Sequence, residues 1–255
     1  MAVTPADDAR DDAVPADVPA DVPADVPADV VKHARDDAAA ALDALLAVVR
    51  AHDDATWREP SPLPGWTRGH VLAHVEGVAG ALARQAEYAR RGEKVAPYDG
   101  GQAGRDAAIE AGSTRTTAEH VAALEAARSR LAAAWPEPGD ALWSAPVAYR
   151  DGVLTGALLA WWREARIHAV DATAGLPDAI GLDTWDERFR AHLADFLAVR
   201  LPDDAADVEL VGAPADVAAW LAGRTPAGEV AARRGGDVVP LPDLGPWPSS
   251  AAPKA

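Results

Sequence analysis

Thr155-Gly156-Ala157-Leu158-Leu159-Ala160-Trp161-Trp162-Arg163-Glu164-Ala165-Arg166-Ile167-His168-Ala169-Val170-Asp171 is an apolar stretch into which a carboxylate and an imidazole are set four residues apart. Nothing in it breaks a helix, Gly175 suits a left-handed C-cap and Pro177 prevents continuation, so the pattern predicts a helix from about Thr155 to Gly175. On a helix, Glu164 and His168 leave the same face one turn apart. Leu158, Leu159, Trp161, Trp162 and Ile167 surround them in sequence, which argues against a merely solvated face. The alternative is a Glu164 that only pairs with Arg163 or Arg166.

Working outward, three more helices precede this one. Ala41, Leu42, Leu45, Leu46 and Val49 form a helical stripe in a segment running from about Val30 to His52. Thr67 can cap a second helix with Val71, Leu72, Val75, Val78 and Leu82 on its apolar side, ending near Arg90. Thr116 and Glu119 make a capping box for a third, with Val121, Leu124, Leu131 and Trp135, which Pro136 and Pro138 stop. The Gly-rich stretch Gly92 to Gly112 is long for a connector and is read as a candidate active-site loop. Four helices of this length predict a bundle.

Beyond Gly181 the texture is mixed. A capping box at Thr184 and Glu187 opens a helix to about Arg200, Asp207 to Val211 alternates like a short strand, and Pro214 to Gly223 reads helical. The expected fold class is therefore mainly α, a four-helix bundle followed by a small α/β C-terminal domain. The bounds are 30–178 for the bundle and 179–255 for the second domain, whose tail from Pro240 onward carries five prolines and should lack regular structure. Residues 1–29 form an arm in which Val14 to Asp29 is four copies of Val-Pro-Ala-Asp, and prolines at that spacing predict disorder.

Composition narrows the function. The net charge of -16 repels phosphate backbones and anionic lipid heads, so neither nucleic acid nor a membrane surface is expected as a partner. The longest near-apolar run, Val153 to Trp162, is about half the ~20 residues of a membrane span, and no signal-peptide core is seen at the start, which predicts a cytoplasmic protein. All but three of the 24 basic residues are arginine, and with the abundance of Ala, Gly and Pro this points to a GC-rich genome. There is no cysteine, so thiolate ligands and a protein-borne sulfur nucleophile are excluded, and any thiol chemistry must use an external thiol.

The chemistry-bearing residues sit on two of the helices. Glu164 and His168 can share a cation, and His70 and His74 repeat the four-residue spacing on helix two. One histidine of that pair, facing Glu164 and His168, would complete a three-ligand site with a position left open for water or substrate. Nitrogen and oxygen ligands fit zinc best, with nickel and iron left open by ligand type. The competing reading is a surface pair worth a few tenths of a kcal/mol, and His70, in the first turn, is placed better for packing or capping than for a metal.

Leu63-Pro64-Gly65-Trp66-Thr67-Arg68-Gly69-His70-Val71-Leu72-Ala73-His74-Val75 together with Arg163-Glu164-Ala165-Arg166-Ile167-His168-Ala169-Val170-Asp171 resembles the mycothiol-dependent maleylpyruvate isomerase family of actinobacteria. Arg105-Asp106-Ala107-Ala108-Ile109-Glu110-Ala111-Gly112 and Trp220-Leu221-Ala222-Gly223-Arg224 extend the resemblance, which spans about Val30 to Pro248. It implies a DinB-like four-helix metal domain followed by a small α/β domain, zinc ligands at His74, Glu164 and His168, and a catalytic role for Arg224. Mycothiol is implied as thiol cosubstrate and a small anionic molecule as substrate, with Arg68 or Arg105 as further candidates for clamping its carboxylates; a monomer is expected. The implied reaction is cis to trans isomerisation by thiolate addition, bond rotation and elimination. A mycothiol S-transferase in detoxification and a non-catalytic metal-binding protein are the alternatives on the same bundle. Trp161-Trp162 and the short C-terminal region depart from the family pattern and bear on substrate identity more than on metal binding.

Overall fold

The computed structural model describes residues 26–248, so all but the last copy of the Val-Pro-Ala-Asp arm lies outside the described residues. Helix α1 covers Ala28–Ala51 and starts inside that last copy, because Pro27 stands at the N-cap, where a missing N–H costs nothing, and Asp29 meets the positive end of the helix dipole. After the single turn α2 (Asp54–Trp57) come α3 (Arg68–Ala89), α4 (Gly101–Gly112), α5 (Thr117–Ala134) and α6 (Leu154–Thr173).

The described residues fall into two compact units divided between Ile180 and Gly181. In the first, α1 packs on α5 and α6, and α3 packs on the same two, so the sequence neighbours α1 and α3 lie diagonally across a four-helix bundle. Every member of the predicted stripes of α1 and α3 is buried, and Leu45, Leu46, Leu72, Leu82 and Leu158 are under 2% exposed. Truncating one such leucine to alanine costs about 2–5 kcal/mol, which makes this face the source of the bundle's cohesion. Asp37 of α1 accepts 2.7 Å hydrogen bonds from Trp162 Nε1 and Arg166 Nε, fastening α1 to α6.

The expected loop between Gly92 and Gly112 is overturned in its second half, which is α4. Glycines 101, 104 and 112 lower helix propensity by about 1 kcal/mol each relative to alanine, which hides the helix from a propensity reading. The chain runs so close beside α3 that a Cβ on Gly69 would lie 2.1 Å from the Ser113 carbonyl oxygen, and only glycine tolerates the approach.

The second unit has α7 (Glu187–Leu197), α8 (Pro214–Leu221) and a three-stranded antiparallel sheet in the order β1 (Glu209–Val211), β2 (Ala231–Arg234), β3 (Asp237–Val239). The expected capping box at Thr184 is displaced: Asp186 is the N-cap, accepting from Phe189 N at 2.8 Å, while Thr184 Oγ1 donates to the Gly181 carbonyl. Aspartate is among the strongest N-caps, and it stands two residues closer to the apolar face that Phe189, Leu193 and Leu197 bury. The β2–β3 hairpin, closed by Gly235 and Gly236 with Arg234 opposite Asp237, was not expected from the sequence. A mainly α bundle followed by a small α/β part is thus the fold. No described helix is long and apolar enough to cross a membrane.

One core residue makes a measurable prediction. His120 of α5 is 1% exposed, its Nε2 has no hydrogen-bond partner, and burial, aided by the Arg115 charge, pushes its pKa down to about 4. Below the ordinary value of 6.5 the unfolded chain takes up a proton that the folded chain refuses, so stability falls as the pH drops from 6.5 toward 4, by about 2 kcal/mol at pH 5. Thermal melts of wild type and His120→Gln over pH 7 to 4.5 should show an acid loss in the wild type that is smaller in the variant. Parallel curves would refute the assignment.

Candidate metal centre

Thr67 sets where α3 begins. Its hydroxyl accepts from His70 N, and His70 Nδ1 in turn accepts from Thr67 N at 3.2 Å, a capping box with histidine in place of the usual glutamate. His70 also stacks on Trp66 and meets Glu110 at 3.2 Å through Nε2, so it is a capping residue held at the edge of the helix. His74, one turn further in and 2% exposed, is aimed instead into the seam between α3 and α6.

There three atoms converge. His74 Nε2 lies 2.9 Å from Glu164 Oε2 and 3.2 Å from His168 Nε2, and His168 Nε2 is 3.1 Å from the same Glu164 oxygen. The two imidazole rings stand perpendicular with centroids 4.6 Å apart, and Trp66 sets its edge against His74 at 5.5 Å. Arg166, one of the two candidate partners of Glu164, is taken by Asp37.

Each imidazole is held from behind, by partners of opposite charge. His168 Nδ1 donates to Asp171 Oδ2 at 2.9 Å, and Asp171 is 2% exposed. His74 Nδ1 receives Arg105 Nη2 at 3.0 Å, and Arg105, delivered by α4, is 4% exposed. Sequence reading gave Asp171 and Trp66 no role. An aspartate three residues after a histidine on a helix was the available signal for the first; for Trp66, which precedes α3, there was none beyond its place in the motif.

Burial works to raise the Glu164 carboxyl, but hydrogen bonds from His168 and His74 outweigh it and hold the group well below the usual carboxylate range. For His168 burial works downward, and Asp171 and Glu164 together overcome it and lift the pKa to about 9. For His74 burial prevails over the Glu164 hydrogen bond, and the pKa is lowered. The convergence point therefore favours positive charge, and a divalent ion bound there would take the place of the His168 proton.

Nitrogen and oxygen donors around a tetrahedral zinc at 2.0–2.1 Å stand about 3.3 Å from one another. The three atoms here need to part by only a few tenths of an ångström, so the residues fit a zinc-sized ion.

The remaining sequence candidates separate. Arg68, buried, spends its guanidinium on the last carbonyls of α6, Nη1 on Ala172 O at 2.9 Å and Nη2 on Ala174 O at 2.7 Å, and so serves as a helix cap. Arg224 belongs to the second unit and closes a Schellman motif at the end of α8: Gly223, with φ +71°, sends its N–H to Trp220 O, and Arg224 N donates to Ala219 O at 2.8 Å. Its Nη1 also donates to Ala222 O at 2.9 Å.

Adjacent helices of a bundle that aim two imidazoles and a carboxylate at one point define a helix-bundle protein with a metal-type site. The sequence model of the mycothiol maleylpyruvate isomerase N-terminal domain matches residues 38–173, more than half of the chain, and the chain belongs to that family. Among solved structures it is similar to a mycothiol-dependent maleylpyruvate isomerase, with 25% identity and a TM-score of 0.69 over 89% of this chain and 98% of that one. A mutant of such an isomerase matches over the same shares with 25% identity and a TM-score of 0.68. No curated protein matches the chain.

Proposed function

We propose that the protein is a mycothiol-dependent cis-trans isomerase of the maleylpyruvate type, with a zinc ion held by His74, Glu164 and His168. The observation that carries this reading is the convergence of those three donors within 4.8 Å in the domain that the family model matches. Bound there, the ion would supply the positive charge that keeps a thiol ionised at neutral pH.

The rest is organic chemistry that the chain arranges. A conjugated double bond does not rotate; a thiolate adding to one of its carbons leaves a single bond, with the electron pair taken up by the adjacent carbonyl. Rotation follows, the pair returns, and the thiolate is expelled from the trans product unchanged. Glu164 and the two imidazoles hold the centre in place, and Asp171 fixes the ring of His168 so that Nε2 faces inward. Because the sequence has no cysteine, the sulfur comes from the cosubstrate.

The test follows two signals together. Zinc-loaded protein with mycothiol should convert maleylpyruvate to fumarylpyruvate while free thiol stays constant. Stoichiometric loss of thiol into a stable adduct would replace the isomerase by an S-transferase, and no conversion of this or related cis-enoyl acids would overturn the reading.

Arg224 is assigned the orientation of a substrate or cosubstrate anion, since its backbone is fixed by the Schellman motif and its guanidinium suits a carboxylate. Arg224→Ala should lower turnover about tenfold or more while leaving metal content unchanged, with a smaller loss for uncharged electrophiles. Equal losses for charged and neutral substrates would mark the residue as structural.

A further inference from the structure

His74 is held by a partner that works against its proposed task. A guanidinium has N–H donors and no acceptor, so at 3.0 Å from Arg105 Nη2 the Nδ1 atom of His74 must be the acceptor. A neutral imidazole has one lone-pair nitrogen and one N–H. With Nδ1 accepting, the hydrogen sits on Nε2 and points at Glu164 Oε2, 2.9 Å away, where the ion would be. His168 is arranged the opposite way: Asp171 accepts from its Nδ1, which leaves Nε2 ready to bind a metal once its proton is gone.

We infer that Arg105 is a positioning residue that locks His74 in the tautomer unable to bind metal, so that metal capture requires the Arg105–His74 hydrogen bond to break. The inference rests on the metal reading given above. Capture moves the hydrogen of His74 from Nε2 to Nδ1, and an N–H there faces a guanidinium N–H, so Arg105 turns away. The released guanidinium then stands beside the centre, where an anionic substrate needs a cation. Arg105 thus weakens the empty site for metal and links loading of the centre to the freeing of a carboxylate-binding group. Its neighbour Asp106, which accepts from Nη1 at 3.1 Å and is itself exposed, gives the side chain a hold that does not depend on His74.

The experiment compares full-length wild type with Arg105→Met and Arg105→Lys, each stripped of metal. Long-range proton–nitrogen NMR of the histidine rings reads the His74 tautomer, and competition of zinc against a chelator reads affinity. The metal-free wild type should show the Nε2–H form of His74. Arg105→Met, which removes the donor, should shift His74 toward the Nδ1–H form and bind zinc roughly tenfold more tightly, the lower end of the range for partners of a ligating histidine. Arg105→Lys keeps a donor at the same place and should stay near the wild type in both readings. Its presence keeps the comparison decisive if the methionine variant folds poorly, because a lysine variant whose His74 becomes Nδ1–H overturns the lock. Zinc bound by the methionine variant as weakly as by wild type, or more weakly, overturns the inference while the metal reading stands. No zinc uptake by wild type overturns the metal reading and the inference with it.

Discussion

His168→Ala should leave the protein folded and nearly free of metal. The side chain is one of three donors meeting within 4.8 Å, and the remaining pair, His74 and Glu164, is left 2.9 Å apart to satisfy itself by a direct hydrogen bond. Partners that merely orient a ligating histidine carry ten- to hundredfold in metal affinity, so loss of the ligand itself should exceed about a hundredfold. Turnover should fall in step. Elemental analysis after dialysis against a weak chelator gives the occupancy, and circular dichroism confirms the helices. His70→Ala is the control: His70 caps α3 and should cost about 1 kcal/mol of stability with metal retained. Full zinc occupancy in His168→Ala or His74→Ala, or loss of metal in His70→Ala alone, would show that the site has been placed on the wrong residues.

Withholding mycothiol should have an effect at least as large. With no cysteine anywhere in the sequence, no side chain can replace the sulfur, and the hydroxyls and imidazoles present are far weaker nucleophiles toward an alkene at neutral pH. A covalent route that lowers the barrier by only about 5 kcal/mol is worth roughly 10³- to 10⁴-fold in rate. Zinc-loaded protein without thiol should therefore convert maleylpyruvate no faster than the metal-stripped blank, and the rate should return on adding mycothiol in less than stoichiometric amount. Undiminished isomerisation in thiol-free protein would remove the thiol from the mechanism and leave the fold and the three-donor cluster untouched.

Recognition of the bundle needed no tertiary information. The stripes Leu42, Leu45, Leu46, Val49 and Val71, Leu72, Val75, Leu82 have the period of an α-helix, and a helix with one apolar face has to bury it; those residues are the ones found in the core. The same local geometry put Glu164 and His168 on one face, and the Thr116–Glu119 box begins α5 where it was read. Where local signals compete, the sequence alone misleads: glycines conceal α4, and Thr184 and Asp186 are both capping types, three and one residues ahead of Glu187, where α7 begins. Gly235-Gly236 could have announced the hairpin, but strands of three and four residues carry too little alternation to stand out.

By itself, then, the sequence determined the four helices of the bundle, the absence of a protein thiol and the residue types able to hold a cation, since these depend on composition and on neighbours within a turn. Which histidine of helix α3 joins Glu164 and His168 was decided by tertiary structure, because α1 and α3 lie diagonally and bring α3 against α6, where the buried turn carrying His74 faces the pair and His70 remains at the capped end. The opposition between Arg105 and Asp171 was decided there too. One partner lies 31 residues from its histidine and the other three, and only the packing of α4 on α3 turns the first separation into a 3.0 Å contact.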